Sequence, residues 1–111
     1  MRLLPQVQDL RQAVRAVVDS NKNDGYIPTR FIQATGNGDR PDLLSVCNRL
    51  IMKGETLEYL ESALRRSPTL LTLEDFVSKH GVTWGFSQEM VETARARAEY
   101  FDIIAGATRY E

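Results

Sequence analysis

Cys47 and His80 are the side chains of this sequence whose chemistry is most readily catalytic, and each residue type occurs once. A thiol nucleophile needs a base within hydrogen-bond reach and usually a third group to orient that base. One cysteine and one histidine, distant in sequence, carry no spacing that encodes such a triad. Cys47 lies among Val46, Leu50 and Ile51 and reads as a small core residue. His80 reads as a residue near a helix end, where its charged form suits the dipole. No catalytic residue is assigned, and the chain is read as non-enzymatic. A lone cysteine forms no internal disulfide, which fits a reducing, cytoplasmic setting.

Metal chemistry is equally thin. Zinc takes several Cys or His ligands, and this chain has two such residues in all. The Glu-x-x-His pair of carboxylate-bridged di-iron bundles is absent. Glu55, Glu58 and Glu61 recur every third residue, but Leu57, Leu60 and Leu64 supply the buried side of that segment, leaving the acids as a solvated face. The stretch Asp19 to Ile27 looks like an EF-hand loop until it is counted. From Asp19, position six is Asp24 and position twelve is Arg30. From Ser20, position three is Lys22 and position twelve is Phe31. Neither register has the Glu that completes the calcium site. Gly36-Asn37-Gly38 precedes a helix but lacks the Gly-Lys-Ser/Thr ending and the preceding strand of a phosphate loop. No metal and no cofactor are expected.

The residues of interest must be positioned by helices. At 111 residues, with 42% apolar and 26% charged side chains, the chain has the mix of one globular domain that can bury a core without staples. No apolar run approaches the ~20 residues of a membrane span. Met1 to Pro5 has no hydrophobic stretch after its arginine, so no signal peptide is read. The net charge is −1, which offers no strong footprint for nucleic acid or an anionic membrane. The charge is uneven, however. Residues 1–54 carry eight basic and five acidic side chains, whereas residues 55–111 carry six and ten.

Apolar spacing of three and four predicts an all-α bundle of about six helices, with no period-two strand pattern. The first helix is placed at Pro5–Ser20, with Val7, Leu10, Val14, Val17 and Val18 inward, and Asn21 to Gly25 stopping it. The second is Pro28–Thr35, anchored by Phe31 and Ile32 and stopped by Gly36. The third is Pro41–Lys53, ended by Gly54. Leu43, Leu44, Val46, Cys47, Leu50 and Ile51 cover more than half of its circumference, predicting the buried centre of the domain. The fourth is Thr56–Arg66, ended before Pro68. The fifth starts from Thr72 with a capping box to Asp75 and a staple of Leu71 on Phe76, and ends at Gly81. Val82 to Phe86 is read as a loop. The sixth starts from Ser87, carries a stripe of Val91, Ala94, Ala98, Phe101 and Ala105, and ends at Gly106, leaving Ala107 to Glu111 as a tail.

Two signals bear on function. A long helix, a short helix, a glycine-containing turn and a third helix ending Arg49-Leu50-Ile51-Met52-Lys53-Gly54 resemble the three-helix part of winged helix-turn-helix proteins. The resemblance implies that the third helix enters a major groove. Arg30, Arg40, Arg49 and Lys53 would contact phosphates, and Ser45 and Asn48 would read bases. The match departs from that pattern where residues 55–66 read as a helix instead of a wing, and where Asp39 and Asp42 sit at the groove-facing end. The second signal is Trp84 with Phe86 beside Gly81 and Gly85, an aromatic pair suited to anchoring a partner. Small residues on the sixth helix permit close approach of another helix, within the bundle or across a homo-oligomer. The leading expectation is therefore a helical protein-interaction module using Trp84 and Phe86, able to self-associate. A helix-turn-helix nucleic-acid binder is the alternative, and no membrane partner is expected.

Overall fold

The computed structural model describes residues 3–25, 27–54 and 57–109. These described residues form an all-α bundle of six helices: α1 Leu10–Asn23, α2 Thr29–Thr35, α3 Leu43–Lys53, α4 Leu57–Arg66, α5 Leu73–Trp84 and α6 Gln88–Arg109. A 3₁₀ turn, Gly36–Gly38, joins α2 to the α3 approach. No strand occurs among the described residues, and none of their helices is long and apolar enough to cross a membrane. Tyr26, Glu55, Thr56, the side chain of Leu57 and the end of the predicted tail at Tyr110–Glu111 lie outside the described residues.

Several helix ends differ from the sequence expectation, each for a local reason. α1 starts at Leu10, not Pro5, because the Asp9 carboxylate accepts from the Gln12 N–H and caps the helix there. It runs past Ser20 to Asn23. Asn21 is tolerated inside it because its side-chain amide donates to the Val17 carbonyl at 2.8 Å. α3 begins at Leu43, not Pro41, with Asp42 at its N-cap position. That carboxylate makes no capping bond, being held by both Arg40 Nε (2.9 Å) and Arg40 Nη2 (3.0 Å).

α5 starts as its capping box predicts, with the Thr72 hydroxyl accepting from the Asp75 N–H and the Asp75 carboxylate accepting from the Thr72 N–H. It continues through Gly81 to Trp84. Gly81 is a contact residue and no stop: a Cβ there would lie 2.8 Å from Val91 Cγ2 and 3.0 Å from Val77 Cγ1. Its missing side chain lets α5 and α6 pack closely. The stop is Gly85, in the left-handed region at φ 100°. α6 starts where Ser87 Oγ accepts from the Met90 N–H and runs through Gly106 to Arg109.

The centre of the bundle is α5, not α3. Every residue from Leu70 to Val77 is buried. On α3 the buried residues are Leu43, Val46, Cys47 and Ile51, while Leu44 (39%) and Met52 (63%) are exposed. One apolar cluster joins Leu10, Val14, Leu43, Cys47, Ile51, Leu73, Val77, Phe86, Met90, Val91 and Ala94. A second packs Phe101, Ile104 and Ala105 of α6 on Ala63, Leu64 and Leu70. A third sets Phe76 on Ala13, Val17 and Leu71.

The turn after α2 is clamped to α1. Arg11 Nη2 and Arg15 Nη2 both donate to Asp39 Oδ1, at 2.5 and 2.6 Å, and Arg15 Nε donates to the Asn37 carbonyl at 3.2 Å. The Arg11 hydrogen bond, with the charge of Arg15, holds the Asp39 carboxyl below its ordinary value of 3.8. A depressed carboxyl stabilises the fold above its unfolded value, and that contribution is lost as pH falls through the lower folded value. The urea midpoint of Asp39→Asn is therefore expected below that of the parent chain at pH 7, with the gap closing only in acid below 3.8. A gap that persists unchanged there would show that the clamp does not titrate through Asp39.

Candidate functional site

The two aromatics of the expected anchor part company. Phe86 is only 6% exposed and belongs to the central cluster with Met90 and Val91. It is a core residue, so the expectation of a Phe86 surface anchor is corrected. The residue after a helix stop turns back onto the core here, with the Phe86 N–H donating to the Gly81 carbonyl at 2.9 Å. Trp84 is half-buried on the last turn of α5, packed against the core and stacked on His80 with ring centroids 5.0 Å apart. Cys47 is fully buried in the central cluster. Burial pushes its thiol up to about 12, the opposite of what a thiolate nucleophile requires.

The residues assigned to the helix-turn-helix reading are distributed around α3. Ser45, Arg49 and Lys53 are exposed and recur at steps of four along α3, while Asn48 is half-buried. Arg30 is exposed on α2. Arg40 is exposed but committed to its two-point pair with Asp42. That pair raises the Arg40 guanidinium and lowers the Asp42 carboxyl. The open face of α3 thus carries apolar Leu44 and Met52 interleaved with Ser45, Arg49 and Lys53, and acids Asp39 and Asp42 lie at its leading end. Leu44 reaches the turn after α5: a Cβ on Gly85 would lie 3.4 Å from Leu44 Cδ2. The face therefore continues onto the turn that follows Trp84.

α6 presents a second open face. Ala96, Tyr100 and Ile103 repeat at steps of four and three and are exposed, Ile103 by 67%. Exposed Glu92 and Glu99 flank them. The Tyr100 hydroxyl bonds to Glu61 of α4, which raises its pKa.

A third feature had no signature in the sequence. A cleft of about 420 Å³ opens between the ends of α1, α2, α3, α4 and α5, walled by Phe31, Leu50, Tyr59, Leu60 and Leu71, among others. Behind it, Arg97 of α6 donates to the Ile51 carbonyl in the last turn of α3. Its Nη1 lies 3.9 Å from Glu74 Oε2. No cluster of three or more metal-ligating side chains exists among the described residues. Comparison with protein-family models, curated proteins and solved structures gives no match.

Proposed function

We propose that the chain is a non-enzymatic helical interaction module that docks protein surfaces on the outer face of α3, and that a second copy of the chain is such a partner. The observation that carries the reading is the exposure of Leu44 and Met52 beside Arg49 and Lys53 on one helix. The apolar area each still exposes gains on burial, more at Met52 (63% exposed) than at Leu44 (39%), and cations around them select an acidic counter-surface. The chain itself supplies one: the α6 face sets Tyr100 and Ile103 among Glu92 and Glu99. A cationic-apolar face meeting an acidic-apolar face is a heterologous contact, in agreement with the opposite charge balance of the two halves of the sequence.

Sedimentation velocity over a concentration series tests it. Association is expected, weakened by salt and weakened at least ~tenfold by Leu44→Asp with Met52→Asp, since ~1.4 kcal/mol is a factor of ten. A chain that stays monomeric at every concentration refutes the self-association arm.

The alternative is a nucleic-acid reader, favoured by one observation: Ser45, Arg49 and Lys53 do face outward. Against it, Arg40 is paired with Asp42 and Arg11 and Arg15 are committed to Asp39, which leaves few free cations among the described residues, and affinity for DNA scales with the phosphates neutralised. Binding to random-sequence duplex across a salt series, lost in Arg49→Glu/Lys53→Glu, would replace the interaction reading with this one.

A further inference from the structure

From the cleft between α1, α2, α3, α4 and α5 we infer a ligand site for a small anionic amphiphile: a single apolar chain or ring system ending in a carboxylate. The volume, about 420 Å³, falls within the ~300–1,000 Å³ typical of small-molecule sites. The chemistry of the wall and the chemistry of the rim decide the class of ligand separately.

The wall calls for an apolar body. Phe31, Leu50, Tyr59, Leu60 and Leu71 supply most of it. Three of the polar side chains away from the rim are already engaged. Asn21 donates to the Val17 carbonyl at 2.8 Å. Thr72 Oγ1 donates to Asp75 Oδ2 at 2.9 Å. Glu74 lies 3.9 Å from the Arg97 guanidinium, and no buried polar side-chain atom among the described residues lacks a partner. Apolar side chains thus dominate this wall, and a ligand body set against them is favoured to be apolar because burying a polar group without a partner costs free energy.

The rim calls for an anion. Arg30 of α2 and Lys53 at the end of α3 both line the cleft and both are solvent-exposed. Neither makes an ion pair among the described residues, in contrast to Arg11, Arg15, Arg40 and Arg97. Among the described lining residues the one carboxylate, Glu74, is buried and faces Arg97, so the excess charge they place at the mouth is positive. A carboxylate held at the mouth keeps most of its hydration while its chain enters the cleft, the arrangement long amphipathic groups adopt at any apolar boundary.

The test uses the full chain at pH 7 and three ten-carbon probes at monomeric concentrations: decanoate, decanol and decylamine. Titration calorimetry gives affinity, and ¹H–¹⁵N spectra give location. Decanoate is expected to bind one to one and tighter than either probe. It is expected to shift the amide signals of Asn21, Phe31, Leu50 and Leu60. Exposed ion pairs are individually weak, but reversing both charges also adds repulsion, so Arg30→Glu/Lys53→Glu should weaken decanoate about fivefold or more while leaving decanol unchanged. The spectrum of the double variant verifies its fold. If it does not fold, the order of the three probes on the parent chain decides. Overturning results are no saturable binding, decylamine binding as tightly as decanoate, decanoate affinity unmoved by the double variant, or shifts mapping to another face.

Discussion

Phe76→Ala is expected to destabilise the fold by ~3–5 kcal/mol, the usual cost of truncating a fully buried aromatic. Phe76 has no exposed surface and packs on Ala13, Val17 and Leu71, with Leu4, Val7 and Trp84 around that cluster. Its cluster thus joins α5 to α1 and to the chain before α1. Neighbouring rigid helices cannot collapse into the space, so the loss includes a cavity as well as the transfer energy. Against a total stability of roughly 5–15 kcal/mol for a domain, that is a large share. A melting temperature lower by roughly 12–20 °C is expected by calorimetry. Phe76→Leu, which keeps most of the volume, should cost less than half as much. Equal losses for the two variants would mean that the ring is not packed as described.

Gly38→Ala is expected to cost ~2–6 kcal/mol, although it adds a single methyl to a turn. Two effects combine there. Gly38 has φ +92°, a conformation that costs an L-residue ~1–3 kcal/mol. It is also buried, and an added Cβ would stand 2.9 Å from the backbone carbonyl oxygen of Arg11. A backbone atom within a helix cannot swing away as a side chain does, so α1 or the turn must move, which adds an overpacking cost of ~1–3 kcal/mol. The movement would also loosen Asp39 from Arg11 and Arg15. Gly25→Ala is the control. Gly25 has a similar φ of +88° with nothing within 4 Å of the added Cβ, so it carries the strain without the collision. Urea unfolding of the two variants separates the terms. Equal destabilisation would mean that the approach to Arg11 costs nothing.

The two glycines also show where sequence reasoning reaches its limit. Gly36, Gly54 and the Thr72–Asp75 capping box were legible because each works within one helical turn: the partner of the signal is three or four residues away. Asp9 carried the same kind of local signal, and it outweighed Pro5 because a carboxylate satisfies an N–H whereas a proline only avoids needing to. Gly81 was misread as a stop because its role is defined by Val91 on another helix. Phe86 was misread as a surface anchor for the same reason. Its burial follows from how the chain turns at Gly85, and from the Met90 and Val91 side chains that cover it.

The helical character of this chain, the approximate places of its helices and the apolar setting of Cys47 were readable from sequence. Those properties follow from period, propensity and capping, all set by neighbours in the chain. Which helix is central, which faces stay open and where the cleft forms depend on contacts between helices distant in sequence. α3 looked the more apolar helix, yet α5 is the one enclosed and α3 keeps Leu44 and Met52 in water. The cleft draws walls from five helices and its two rim cations from positions 30 and 53. Apolar surface attracts other apolar surface without direction. A sequence therefore specifies how much each helix has to bury, and close packing of all the helices together selects what covers it.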